Sequence, residues 1–152
     1  MLLLAAIAPF VQSLAFGFVL DDTYAIRRNA SLAGWPSLGR VWLEQFGGDG
    51  GPFFGLYRPL TAALFAIVSN AGGRWPLWFH VMALLLHAGA TLLVWRLLRG
   101  ALSSRPAFLA ALWFALHPLH VEAVANVTNT SEILVAIWTV LLALFLRARV
   151  AS

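Results

Sequence analysis

The chain contains no cysteine and no lysine among its 152 residues, and only 11% of it is charged. Without cysteine there is no disulfide framework, no thiolate nucleophile and no thiolate metal site. All ten basic residues are arginines, set against six acids for a formal net charge of +4. They are not gathered on one polar surface, as an electrostatic footprint on phosphates would require, so the charge gives no reason to read a nucleic-acid partner. They stand mostly at the ends of apolar segments, where membrane topology selects them. A soluble domain is roughly 45 to 50% apolar and about 25% charged; this chain is 61% apolar. That composition excludes an ordinary soluble domain. One spanning helix takes about 20 residues, so four would use roughly half of the sequence.

Residues 1–20 carry no charge and read as a first transmembrane helix. A cleaved signal peptide is the alternative, opposed by the missing basic start and by an apolar stretch longer than the usual core of about 7 to 15 residues. Residues 21–75 then turn charged, Gly-rich and Trp-rich, with turn chemistry at Gly47-Gly48-Asp49-Gly50-Gly51-Pro52, and read as one long external loop. Within it residues 60–69 are apolar but too short to span, and Trp35, Trp42, Phe53 and Phe54 suit the membrane surface, so short interfacial helices are expected there. Further spans are predicted at about 76–98, 106–120 and 131–147, the second and third opened by Pro76 and Pro106, since proline is tolerated in a first helical turn. The fold class is therefore all-α: a multi-pass transmembrane helix bundle of about four spans, forming a single membrane domain over 1–152. Small residues offer faces for close helix packing, Ala88, Gly89 and Ala90 on one span and Ala107, Ala110 and Ala111 on the next.

Sidedness follows from charge. Arg96, Arg99 and Arg105 lie in one short loop and Arg147 and Arg149 follow the last span, which places both sets in the cytoplasm by the positive-inside rule. Asp21, Asp22, Glu44, Asp49, Glu122 and Glu132 all fall on the opposite, external side. Chemistry is expected there.

Asp21-Asp22 directly follows the first span. Adjacent carboxylates raise one another's proton affinity, so one can serve as a general base while its neighbour orients it; an acidic loop start is the plainer reading. Tyr24, Arg27 and Arg28 follow closely, and Tyr57-Arg58-Pro59-Leu60 returns an arginine to the surface at the far end of the loop. Arginine binds phosphate through a planar fork of donors, which suits a lipid phosphate at headgroup depth, and simple headgroup anchoring serves equally. His80 and His87, seven residues apart, share one face of the second span and read first as helix-to-helix hydrogen-bonding groups. His117-Pro118-Leu119-His120-Val121-Glu122 brings two imidazoles and a carboxylate together. Pro118 breaks the turn between the histidines, so a polar cavity wall is preferred to a metal site, and no metal or cofactor is assigned. The arginine-only, Ala- and Leu-rich composition resembles that of a GC-rich bacterial gene, which points to a bacterial plasma membrane, or to the endoplasmic reticulum with the loop in the lumen if the source is eukaryotic.

The order of motifs, 18-FVLDDTYAI-26, then Tyr57-Arg58-Pro59-Leu60, then Phe79-His80 with Leu86-His87, then 114-FALHPLHVEAV-124, resembles the membrane part of the transmembrane and tetratricopeptide-repeat proteins. Those are GT-C-fold glycosyltransferases related to the protein O-mannosyltransferases. The resemblance covers the chain from Phe18 to about Leu134 and implies a partial GT-C fold. It implies transfer of a sugar from a polyprenyl-phosphate carrier to an acceptor hydroxyl, with Asp21 and Asp22 as catalytic acids. Arg58, with Tyr57, Arg27 and Arg28, would meet the substrate, and His117, His120 and Glu122 would line the cavity. The implied partners are the bilayer, the lipid-linked sugar and a protein or glycan acceptor. Because the family carries more spans and downstream helical repeats, the chain reads as an N-terminal piece. A non-catalytic scaffold or assembly module derived from the same family is the competing expectation.

Overall fold

The computed structural model describes residues 1–48 and 55–151, with the side chain of 151 left aside; Asp49, Phe53 and Phe54 lie outside the described residues. Among these, every regular element is helical. The chain forms α1 (Leu2–Ile7), which tightens into a 3-10 stretch (Ala8–Ala15), then a π-helical turn (Thr23–Arg27) and a 3-10 turn (Ala30–Leu32). Next come α2 (Ser37–Arg40), α3 (Pro59–Gly72), α4 (Pro76–Arg99), α5 (Ser104–Leu116), α6 (His120–Ala125), a 3-10 turn (Val127–Asn129) and α7 (Thr130–Ala151).

Two helices are long and apolar enough to cross a membrane, one over Pro76–Arg99 and one over Val127–Val150, the latter including the 3-10 turn before α7. At about 1.5 Å per residue α4 measures about 36 Å, against a bilayer core of about 30 Å. The other two expected spans are shorter than the sequence implied. Residues 1–20 do not make one helix. Pro9 has no N–H to continue the α ladder, the run tightens to 3-10 geometry, and at Phe16 the backbone turns extended (φ −80°, ψ 147°). Leu20 then takes φ 40°, a left-handed conformation that L-residues adopt at a cost of about 1 to 2 kcal/mol. The span expected over 106–120 ends at Leu116 because His117 precedes Pro118 and is pushed to extended backbone (φ −66°, ψ 128°). That helix is about 20 Å long.

The bundle is built around α4, which packs against α1, α5, α6 and α7. Alanines make this possible. Ala107, Ala111 and Ala115, one turn apart on α5, are fully buried, as are Ala83 and Ala90 on α4 and Ala6 on α1, so backbones approach closely as they do in membrane bundles. Ala110, expected on the same face, is exposed, since three residues of offset from Ala107 rotates it away from the four-residue stripe.

Residues 21–75 form more than interfacial helices on a loop. Ile26, Leu32, Val41, Phe46 and Phe65 make one apolar core with Phe79 at the start of α4 and Val127 before α7. Aromatic rings chain through it edge-on, Phe18 to Phe79 at 5.4 Å and Phe65 to Phe79 at 5.7 Å. The segment is thus a folded cap over one end of the bundle. The turn chemistry at its tip is seen at Gly47 and Gly48, both with positive φ (87° and 74°), and Trp35 and Trp42 are exposed. At the other end of the bundle lie the carboxyl ends of α4 and α7, which carry Arg96, Arg99, Arg147 and Arg149.

Candidate active site

The two adjacent aspartates part company. The turn in which Asp22 N–H donates to the Val19 carbonyl (2.9 Å) places Asp21 outside and Asp22 wholly inside. A buried carboxylate needs donors, and Asp22 has them: its Oδ1 accepts from the Thr128 N–H at 2.9 Å and from the Thr128 hydroxyl at 2.6 Å. The Val19 N–H adds a longer contact to Oδ2 at 3.4 Å. The Thr128 N–H is shared with the Asn126 side-chain oxygen at 3.2 Å, which shapes the 3-10 turn from which α7 starts. One aspartate therefore fastens the beginning of the cap to a turn 106 residues away.

Arg58 stands at the amino end of α3, half-buried, its guanidinium 5.4 Å from the centre of the Phe46 ring, a cation–π distance. It opens onto a groove of about 200 Å³ whose other wall is Ser131, Leu134, Val135 and Trp138 of α7. The neighbouring Tyr57 donates its hydroxyl to the Trp42 carbonyl at 2.7 Å, holding two parts of the cap together. Arg27 and Arg28 face different surroundings. Arg28 lies over the Tyr24 ring at 5.5 Å. Arg27 shares a cleft of about 420 Å³ with Arg74, Phe18 and Trp75, and Arg74 donates to the Arg27 carbonyl at 3.0 Å.

The histidine-rich segment closes a second cavity of about 250 Å³, lined by His87, Phe114, His120 and Glu132 among others. His120 sits 4.9 Å from the His87 ring, 4.5 Å from Phe114 and 6.1 Å from His117. Burial pushes the His120 pKa down from its ordinary value, and the neighbouring His117 adds to the effect while the Phe114 carbonyl opposes it. His117 accepts from the Leu119 N–H through Nδ1 at 3.3 Å. Glu122 is exposed and accepts from Asn129 at 3.5 Å. His87 links α4 to α5 through Nε2 and the Ala115 carbonyl, 3.3 Å apart, the helix-to-helix role expected of it. His80 is fully buried, packs edge-on to Phe16 at 6.3 Å, and completes no hydrogen bond at either ring nitrogen. Among the described residues no group of three His, Asp or Glu side chains is placed closely enough to hold a metal ion, His87, His120 and Glu132 around one cavity included.

Sequence reasoning gave no site role to Thr128 or Arg74, and placed Glu132 only among the acids of the external side. Only Thr128 carried a local signal, as the residue two after Asn126, where an asparagine side chain caps a turn. Glu132 and Arg74 look like ordinary end-of-helix charges until the fold turns them toward a cavity.

The described residues form an all-helical bundle with small-residue packing and two helices long and apolar enough to cross a membrane, with acids, arginines and histidines making a polar site at one end. By sequence the chain belongs to the TMTC family of protein O-mannosyl-transferases. It is 36% identical over 90% of its length to protein O-mannosyl-transferase TMTC4 of Homo sapiens. Against protein O-mannosyl-transferases Tmtc1 and Tmtc2 of Drosophila melanogaster it is 37% and 39% identical, over 84% of its length in each case. The chain spans 21%, 15% and 14% of the length of these three relatives. No family model and no solved structure matches it.

Proposed function

We propose that the chain is the membrane segment of a glycosyltransferase that moves a mannose-like sugar from a polyprenyl-phosphate carrier to an acceptor hydroxyl, on a protein serine or threonine, at the external face of the membrane. The observation that carries this reading beyond family membership is the separation of the two acids. Asp22 is engaged by Thr128, which leaves exposed Asp21 free to meet a substrate. In the proposed reaction the acceptor oxygen bonds to the anomeric carbon as the bond from that carbon to the carrier phosphate oxygen breaks. The electron pair departs with the phosphate and the acceptor proton passes to Asp21. Arg58 holds the leaving phosphate through its fork of donors, and the groove it shares with Leu134, Val135 and Trp138 offers an apolar track for the carrier. Tyr57, Arg27 and Arg28 are assigned to the acceptor, and of the histidine-rich segment only His120 lines the cavity it shares with His87 and Glu132, His117 and Glu122 lying outside that lining because the turn at Pro118 directs them away. No metal or cofactor enters the scheme.

The test is mannosyl transfer to a protein acceptor by membranes containing the protein expressed from its complete reading frame. Asp21→Asn is expected to lower turnover by about 100-fold or more, the usual scale of a lost general base, without changing the amount of protein inserted. Undiminished turnover in that variant overturns the assignment and favours the non-catalytic module.

A further inference from the structure

The end of the bundle away from the cap carries a second built cavity, of about 710 Å³, between the carboxyl ends of α4 and α7. Its rim is Arg96, Arg99 and Arg147, and its walls are Leu92, Trp95, Leu144 and Ala148. None of the described residues lining it is acidic. Three guanidinium groups therefore meet with no carboxylate among them, at the mouth of an otherwise apolar cleft. Two of the three exposed side chains are tied to the backbone or to a neighbouring hydroxyl. Arg147 donates through Nη1 to the Leu97 carbonyl at 3.3 Å, an oxygen near the end of α4 that also accepts from the Gly100 N–H at 3.1 Å. Arg99 donates to the Ser104 hydroxyl at the start of α5. Each guanidinium has five N–H donors, so both keep most of theirs for another acceptor. Gly100 is part of the same device: a methyl group there would collide with the Arg147 guanidinium, so the absence of a side chain at 100 is what lets Arg147 lie across the end of α4.

We propose that this cavity is a binding site for the phosphate of an anionic phospholipid in the leaflet where α4 and α7 end. The arginine forks fit a phosphate bidentately. Trp95, partly exposed at 37%, precedes Arg96 near the end of α4, a position that suits the preference of tryptophan for a membrane interface. Leu92 and Leu144 present the apolar surface along which an acyl chain packs. Basic pockets between transmembrane helices bind anionic headgroups in this way. The positive-inside bias alone needs arginines in these loops, but it needs neither an apolar cleft between them nor anchored guanidinium groups.

The experiment is lipid retention by the protein expressed from its complete reading frame, purified and offered phosphatidylglycerol or phosphatidylcholine, with bound lipid counted by native mass spectrometry. Phosphatidylglycerol is expected to be retained preferentially. The double variant R96Q/R147Q is expected to lose that retention by about 30-fold, the scale of two charge-assisted phosphate contacts. R105Q removes a charge from the same loop without touching the cavity, and its effect is expected to stay within about five-fold, the generic contribution of one arginine near a charged leaflet. G100A keeps every charge and displaces only the Arg147 side chain, so it is expected to weaken phosphatidylglycerol retention while the protein stays folded. Equal retention of both lipids, an R105Q effect as large as that of R96Q/R147Q, or displacement of the lipid by inorganic phosphate at equal concentration would each overturn the site.

Discussion

A carboxylate taken out of water is held only where donors replace the water it has lost. Asp22 meets that condition chiefly through Thr128, which offers both its N–H and its hydroxyl, with a longer contact from the Val19 N–H. Thr128→Val keeps the shape and the N–H but removes the hydroxyl. It is expected to destabilise the protein by about 1 to 3 kcal/mol, the cost of leaving a buried acceptor short of a partner, read as a lower thermal midpoint in detergent, while Thr128→Ser restores it. An unchanged midpoint for Thr128→Val would show that the hydroxyl contributes nothing to anchoring the cap. Asp21 has a different environment and so a different expected signature: its loss is felt in turnover and not in stability.

At the scale of elements, α5 is too short to span alone, and its value lies in the face it presents. Ala107, Ala111 and Ala115 are buried against α4 and α1, and Ala110 is not. Enlarging one residue of a tight helix contact forces backbones apart at a cost of about 1 to 3 kcal/mol, whereas an exposed apolar substitution changes stability by about 0.5 kcal/mol or less. Ala111→Leu is therefore expected to lower the thermal midpoint clearly and Ala110→Leu to leave it near the parent value. Equal shifts would mean that α4 and α5 are not packed through this stripe. The same four-residue spacing explains why reading Ala107, Ala110 and Ala111 together named two members of the face correctly and one wrongly.

For the whole molecule, the decisive property is polarity along the bundle axis: the described acids all lie at the capped end, together with five arginines, and the other end carries arginines without acids. The outer face of α7 exposes Val135, Trp138, Leu142 and Phe145, a surface suited to hydrocarbon or to further helices, and not to water. The 152 residues lack cysteine, so a single cysteine introduced among them, in a protein whose other cysteines are replaced, reports sidedness. Ala33→Cys in the cap and Ser103→Cys between α4 and α5, both at exposed positions, are expected to react with a membrane-impermeant thiol reagent from opposite faces of the membrane. Labelling of both from one face would show that α4 does not cross.

The sequence by itself determined what depends on neighbours within a few residues. The apolar runs mark α4 and α7, Pro59 and Pro76 open their helices, Gly47 and Gly48 take the conformations their turn requires, and charge divides the two ends. These are properties of local backbone chemistry and of transfer from water, and they can be read in one dimension. The family was legible as well, because its motifs keep their order along the chain. Only the tertiary structure decided which of two identical, adjacent aspartates is buried, since that depends on Thr128, 106 residues away. It also decided that Glu132 joins His87 and His120 around one cavity, that Arg58 lies against Phe46, and that three arginines from two helices converge beside Gly100. Each of these is a meeting of side chains brought together by packing around α4, and no local pattern of residues encodes such a meeting.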